Sequence, residues 1–394
     1  MQHRNEVQVS RFILWLSILT FFSVMNETMF NVSLPEIATY FHIAPSAANW
    51  TNTCFSISFA IGVAVYGKIS EHAGIRTLLL FGMLTYGFGS LLGPVIGGTV
   101  SGYVHWSLLF ALPLLSLLAL PFVLRTLPDE ATEGKAFDIT GAILLSSGIL
   151  SFALFMTLLL WIYLTTAIVL FALLAFHIRR HREPFLEPFL FRKKRYLSAV
   201  LTGALLLGTV AGFISMVPYL MSSVYDMPTR LIGSAILFPC TLSVILFGVL
   251  GGMLADRRGH IAAMLTGLCM ITTGFLVVLF FTDRTPWLIA AAMILTFGGL
   301  SFVKTAVSAS VANTLEENET GSGIGMLNFT CFLAEGIGIA GVGGLLTKPW
   351  LKAPIIGTLT SQTAALYSNM MLIFIALSVF GGILFVVLYK RNWQ

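Results

Sequence analysis

Three ionisable side chains lie deep inside long apolar stretches of this sequence: Glu27, Lys304 and Glu335. Charged groups in such surroundings lose their hydration, so they are retained where they pair, bind ions or exchange protons. Burial disfavours the charged form of a carboxylate, so either glutamate can load and release protons in a working pH range. A fixed cation at Lys304 would hold one carboxylate charged and leave the other free to gain or lose a proton. The residue types therefore predict proton-coupled transport.

Each charged residue has small or polar neighbours that would line a wet cavity or a close helix contact. These cavity-lining candidates are Asn26, Asn31, Ser301, Thr305, Asn328 and Thr330. In a purely structural alternative, Glu27 and Lys304 form an ion pair and Glu335 is protonated. The sequence alone leaves open which glutamate Lys304 contacts.

The composition places most of this chain in lipid. Of 394 residues, 57% are hydrophobic and 10% are charged, whereas soluble domains carry about a quarter charged residues. The net charge of +5 comes from short basic clusters between apolar runs, which favours topology signals over nucleic-acid binding. The four cysteines show no CxxC spacing, so we expect buried small hydrophobes instead of disulfides or a zinc site.

Runs of about 20 apolar residues predict twelve membrane-spanning helices. They lie near 12–33, 47–66, 77–101, 106–125, 139–158, 161–177, 197–222, 232–254, 262–282, 287–308, 323–346 and 366–389. The uncharged tract 139–177 is nearly twice the length of one crossing, so we expect a tight hairpin near Leu160-Trp161. With the N-terminus inside, seventeen Lys and Arg residues fall in inner segments and four in outer segments. This bias predicts a multi-pass protein of the cell membrane with both termini cytoplasmic.

Other function classes find little support in the sequence. It contains no HExxH, no nucleotide-binding loop and no Ser/His/Asp arrangement, so we do not expect an enzyme. A channel is disfavoured because the buried charges are few and of mixed sign instead of forming a ring.

A cytoplasmic loop motif occurs twice, at matching turns of the two halves. The first copy, GKISEHAGIRTLL (67–79), contributes Gly67, Lys68, Glu71, Gly74 and Arg76. The second, GGMLADRRGH (251–260), contributes Asp256, Arg257 and Arg258. The first resembles the GxLxDxxGxRxxL motif of the major facilitator superfamily, with Glu71 where that motif has Asp. Two copies of one loop suggest a transporter repeat.

Longer stretches closely resemble the tetracycline/proton antiporters of the fourteen-helix drug-efflux branch, the K and L classes. They are FFSVMNETMFNVSLPEIA, AVYGKIS, HWSLL, VAGFISMVPYLM, FPCTLSVILFGVLGGMLADRRG, GGLSFVKTAVS and LNFTCFLAEGIGIAGVGGLL. The resemblance implies an all-α major facilitator-type bundle that exports tetracycline as a divalent metal complex in exchange for protons. Monovalent cation exchange is also known in that family. The family's functional acids match Glu27, Asp256 and Glu335. Neither a cofactor nor a fixed metal site is implied, because the metal travels with the drug.

The chain departs from the family within 77–103. The start of this segment resembles the third helix, and its end keeps Gly93, Pro94, Gly97 and Gly98 of the fifth-helix antiporter motif. Fusing two outward-running helices removes two crossings and preserves the direction of every later helix. We therefore expect an incomplete four-span bundle (1–125), a central helix pair with a basic linker (126–196) and a six-span bundle (197–394). The alternative to an active exporter is an internally truncated, transport-inactive membrane remnant.

Overall fold

The computed structural model describes residues 34–63, 138–181, 189–316, 319–355 and 361–390. All of them belong to one compact unit made of Leu34–Ala64 and Asp138–Gln394. Within these ranges the regular secondary structure is entirely helical, which confirms the all-α prediction. Three predicted spans (12–33, 77–101 and 106–125), the first loop motif and the antiporter-motif residues lie outside them. Glu27, Asn26 and Asn31 lie outside them as well.

We number the described helices in chain order. They are α1 (34–40), α2 (45–63), α3 (Ile139–Leu158), α4 (Trp161–Arg180), α5 (Lys194–Tyr225), α6 (Ile232–Arg258), α7 (His260–Phe281), α8 (Pro286–Ala312), α9 (Thr320–Leu345) and α10 (Gln362–Lys390). Helices α3 to α10 are long and apolar enough to cross a membrane, with eight such helices in the described part of the chain. They coincide with eight of the predicted spans, and α2 coincides with the predicted span 47–66. The boundaries predicted for the three domains remain a prediction.

The predicted hairpin within 139–177 is confirmed. Helix α3 ends at Leu158, and Leu159 adopts the left-handed conformation with φ of 54° while its N–H donates to Phe155 O at 2.7 Å. Extended backbone at Leu160 then leads directly into α4. This geometry closes a helical hairpin at a leucine, a residue for which a positive φ costs about 1–2 kcal/mol.

Helices approach each other closely at two pairs of glycines. Helices α5 and α9 touch at Gly208 and Gly338, where a Cβ on Gly208 would lie 2.6 Å from Ala334 O. Helices α7 and α8 touch in the same way at Gly267 and Gly299, with a distance of 2.6 Å from either Cβ to the other residue's carbonyl oxygen. Such contacts replace the hydrophobic effect as the main source of helix association in lipid.

An aromatic cluster forms the centre of the helices that follow residue 193. Phe213 of α5 packs against Phe275 of α7 with ring centroids 5.1 Å apart, and Phe374 of α10 lies 5.7 Å from Phe275. All three rings are buried. Edge-on and tilted ring packing of this kind adds to the dispersion energy of the core. The cluster therefore fixes the mutual position of α5, α7 and α10.

Helix α6 begins with a π-helical segment, Ile232–Leu237, before the α-helical part that starts at Phe238. Pro239 is the second residue of that α-helical part. Proline lacks an N–H and its ring clashes with the carbonyl four residues earlier, so a wider preceding turn accommodates it. Pro218, in contrast, lies buried within α5.

The prediction that the cysteines are buried is wrong for two of the four. Cys240 and Cys331 are buried, whereas Cys54 and Cys269 are exposed, and all four are free thiols. An apolar residue on a membrane helix can face lipid as readily as the protein interior. Hydrophobicity therefore does not fix burial here.

Candidate functional site

Lys304 and Glu335 form an ion pair between two membrane-spanning helices. Lys304 projects from α8 and Glu335 from α9, and Lys304 Nζ lies 3.7 Å from Glu335 Oε1. The Glu335 side chain is 11% exposed and the Lys304 side chain is 51% exposed. The pair therefore joins a buried acid to a cation that keeps an accessible surface.

The burial of Glu335 follows from the packing of α9. Its neighbour Ala334 contacts Gly208 of α5, and a Cβ on Gly336 would lie 3.0 Å from the side chain of Ile57 in α2. Helices α5 and α2 thus cover α9 on either side of the acid. A carboxylate removed from water in this way is stabilised by a nearby cation, and Lys304 supplies that charge.

The polar neighbours predicted from the sequence lie in different environments. Ser301 is buried between helices, and its hydroxyl donates to Phe297 O at 3.1 Å and Val244 O at 3.3 Å. Thr305 and Thr330 are partly exposed and donate to carbonyls of their own helices. Asn328 is exposed. Ser301 therefore serves the contact between α6 and α8, whereas the other three keep exposed surface.

The acid of the second loop motif is separate from the ion pair. Asp256, Arg257 and Arg258 are exposed at the last turn of α6. Within the described residues Asp256 forms no ion pair with Lys304 or any other cation. The structure thus brings together two of the four predicted coupling residues, Lys304 and Glu335.

A polar stripe on α2 was missed by the sequence reasoning. Asn49, Asn52, Thr53 and Ser56 are all buried, at helical spacing of 0, 3, 4 and 7 residues. This helix packs on α9, where a Cβ on Gly343 would lie 3.2 Å from Asn49 Cβ. Neither side-chain amide atom of Asn49 has a partner among the described residues. The signal was present in the predicted span 47–66 as polar residues on one helical face.

The start of α9 is tied to the start of α5 by a second ion pair. Lys193 Nζ donates a hydrogen bond to Glu319 Oε2, and Tyr196 Oη donates to Gly323 O at 2.9 Å. Lys193, followed by the N–H of Glu316, holds the pKa of the Glu319 carboxyl below its ordinary value. The helix that carries Glu335 is thus anchored at its first turn.

Comparison with known proteins identifies the family of the chain. The sequence matches the profile of the Major Facilitator Superfamily over residues 16–92 and 83–339. The chain belongs to the major facilitator superfamily. Members of this superfamily are multi-span membrane transporters and not enzymes.

Curated relatives of this superfamily member carry names of drug transporters. It is 26% identical over 255 residues to the multidrug transporter protein MdtP of Bacillus subtilis, covering 61% of this chain and 47% of the relative. It is 25% identical over 312 residues to the multidrug resistance protein Stp of Mycobacterium tuberculosis, covering 76% of this chain and 57% of the relative. The chain therefore spans about half the length of these relatives.

Solved structures show the same fold at low sequence identity. The human organic anion transporter MFSD10 (TETRAN) superposes with a TM-score of 0.57 at 15% identity, covering 95% of this chain and 99% of that one. The nucleoside transporter NupG gives a TM-score of 0.53 at 15% identity, covering 96% and 100%. These likenesses establish a major facilitator-type helical bundle.

Proposed function

We propose that this protein is a proton-coupled exporter that exchanges protons for tetracycline carried as a divalent metal complex. The observation that carries the proposal is the ion pair between Lys304 and the buried Glu335, 3.7 Å apart within the spans. Burying two ionisable groups at membrane depth costs free energy, so such a pair is expected to have a function. The multidrug names of the relatives support drug export in general, and the resemblance to the K and L classes supports tetracycline.

Glu335 is the proposed proton carrier of the described unit. When it is charged, Lys304 neutralises it; when it takes up a proton, the ammonium of Lys304 loses its counterion. Because Lys304 is half exposed, its charge can then be solvated. The drug complex carries the positive charge of its divalent cation, so it favours the state in which Glu335 has given up its proton. Protonation and substrate binding thereby become alternatives at one place. Glu27 is proposed as the second proton-binding acid and Asp256 as a coupling residue at the cytoplasmic turn.

The remaining features of the proposal concern ions and topology. The divalent cation is cargo that enters with the drug, and monovalent cation/proton exchange is a further activity to be tested. Both termini are placed in the cytoplasm, because this orientation puts seventeen basic residues inside and four outside. Asp256 at the end of α6 then lies on the cytoplasmic side.

The competing proposal is a transport-inactive remnant with two spans deleted. Two observations favour a deletion: the twelve predicted spans, and a family match that breaks into two pieces, 16–92 and 83–339, which overlap at residues 83–92. That break falls within 77–103, where the sequence predicts the fusion of two helices. A chain lacking two helices of its first bundle keeps Lys304 and Glu335 but loses partners they would need for transport.

Transport in inside-out membrane vesicles with an acidic lumen separates the two proposals. The exporter takes up tetracycline with Mg²⁺ above the level of empty vesicles, and uptake stops when the pH gradient is dissipated. Glu335→Gln and Glu27→Gln each abolish the coupled flux, whereas Glu36→Gln, an exposed acid of α1, leaves it unchanged. Unchanged flux in both Glu27 and Glu335 variants would contradict the proton-site assignment.

The remnant proposal predicts no uptake by the chain as given. Inserting the two-span segment of a full-length relative between residues 90 and 93 should then restore uptake. If the extended chain is also inactive, the exporter proposal is wrong for this protein. If the unextended chain transports, the remnant proposal is wrong.

A further inference from the structure

A cluster of one aspartate and two histidines lies at the open end of the α3–α4 hairpin. Asp138 precedes α3, and His177 and His181 belong to the last turn and the end of α4. The candidate ligand atoms of the three side chains all lie within 4.8 Å of one another. This cluster is separate from Lys304 and Glu335 and has no part in the proposed transport.

The hairpin geometry places these groups together. Helices α3 and α4 are each 20 residues long and run antiparallel from the tight turn at Leu159, so the start of one lies beside the end of the other. His177 and His181 are four residues apart and therefore share one helical face. The sequence pattern HxxxH was overlooked because the histidines lie at the edge of a basic segment.

The aspartate is held in place before any ion binds. Its side chain is 2% exposed, and its Oδ1 accepts hydrogen bonds from Gly141 N and from His177 Nε2, each at 2.8 Å. A Cβ on Gly141 would overlap the Asp138 carboxylate, so glycine at this position leaves room for it. The second histidine lies next to the first, with ring centroids 5.1 Å apart.

We propose that Asp138, His177 and His181 form a Zn²⁺ site that clamps the open end of this hairpin. Two imidazoles and a carboxylate are a ligand set that zinc accepts, with a water at the fourth position. Zinc–ligand bonds of 2.0–2.2 Å in tetrahedral geometry place ligand atoms about 3.3 Å apart. Zinc binding would lengthen the 2.8 Å distance between Asp138 Oδ1 and His177 Nε2 to this value. The exposed side chain of His181 would move toward the metal.

Arg180, next to His181, packs on an aromatic ring of its own helix. The Arg180 guanidinium lies 4.2 Å from the ring centroid of Phe176. The negative charge of Asp138 partly offsets the repulsion between Zn²⁺ and the neighbouring arginines. The metal would tie the first residue of the hairpin to its last, immediately before the segment that leads into α5.

Binding of Zn²⁺ to the purified full chain, carrying no polyhistidine tag, tests this site. Isothermal titration should give one Zn²⁺ per chain, and Co²⁺ substituted for it should show the visible absorption of a tetrahedral site. His177→Ala, His181→Ala and Asp138→Asn should each weaken binding at least about tenfold. Asparagine preserves the helix N-cap, so Asp138→Asn removes a ligand without removing the cap.

Two further variants are controls, one for a loss of fold and one for nonspecific binding of Zn²⁺ to histidines. His177→Gln can still donate a hydrogen bond to Asp138, and it should retain the hairpin while losing tight Zn²⁺ binding. His260→Ala, which removes a histidine bonded to Asn313 outside the cluster, should leave the affinity unchanged. Equal affinity in wild type and His177→Gln, or an equal loss in His260→Ala, would overturn the proposal, as would no stoichiometric binding by wild type.

Discussion

At the scale of single residues, the two partners of the Lys304–Glu335 ion pair differ in burial. Glu335 is buried and depends on its partner, whereas Lys304 keeps half of its surface accessible. Removing one partner of an ion pair costs much free energy of folding only when the remaining group is buried, because water then cannot solvate its charge. The two single substitutions should therefore differ in their effects on stability.

We predict that Lys304→Met destabilises the folded protein more than Glu335→Gln. The buried carboxylate loses its cation in the first variant, at a cost of about 1–3 kcal/mol after allowance for the exposed partner. The second variant should change the free energy of unfolding by less than about 1 kcal/mol. Thermal unfolding in detergent measures both, and equal losses would contradict the unequal burial.

The sequence indicated which residues are ionisable at membrane depth but not which of them meet. Lys304 and Glu335 could be placed within spans because charges stand out in apolar runs. Their pairing depends on the rotation of α8 and α9 about their axes. The sequence does not specify this rotation, because apolar residues can face either the lipid or the protein core. The same limit explains the exposed Cys54 and Cys269.

At the scale of helices, the contact between α5 and α9 should tolerate no added side chain. A Cβ on Gly338 would overlap the backbone of Gly208, so Gly338→Ala forces the helices apart. We expect a loss of about 1–3 kcal/mol in stability, together with reduced transport. The matched control is Gly252→Ala in α6, where a Cβ meets no atom within 4 Å, and it should be neutral or slightly stabilising. Equal effects of the two variants on the unfolding midpoint would contradict this packing.

The ion pair of Lys193 and Glu319 should make the first turn of α9 sensitive to acid. Because the folded-state pKa of Glu319 is depressed, the contact stabilises the protein above the unfolded pKa and is lost as pH falls through the folded value. Hydrogen exchange, corrected for its intrinsic pH dependence, should show more protection at residues 320–325 in wild type than in Glu319→Gln at pH 7. This difference should fade as the pH falls below the ordinary pKa of a glutamate and through the lowered pKa of Glu319.

Glu36→Gln, an exposed acid in α1, is the control for that comparison and should not alter protection in α9. A difference between wild type and Glu319→Gln that persists unchanged at pH 3 would show that the carboxylate charge is not responsible.

Helix limits were predictable to within a few residues, whereas helix contacts were not. The span predicted at 139–158 matches α3, because apolar length alone defines a crossing. The contacts of α5 with α9 and of α7 with α8 depend on how neighbouring helices are rotated about their axes. No single-span hydrophobicity pattern contains that information.

At the scale of the whole molecule, the charge bias predicts which turns face the cytoplasm. In a background with the four native cysteines replaced, Arg258→Cys should be protected from a membrane-impermeant maleimide in intact cells. Arg284→Cys, at the opposite end of α7, should be labelled. Labelling of Arg258→Cys together with protection of Arg284→Cys would reverse the proposed orientation.

Proton release on drug binding tests the central claim most directly, because it does not require a complete transport cycle. Purified protein in lightly buffered detergent is mixed with the preformed tetracycline–Mg²⁺ complex, and the released protons are measured with a pH indicator. We predict release by wild type and by Glu36→Gln, and its loss in Glu335→Gln, because Glu335 exchanges its proton for substrate. Equal release by wild type and Glu335→Gln would contradict the assignment of the Lys304–Glu335 pair as the coupling site.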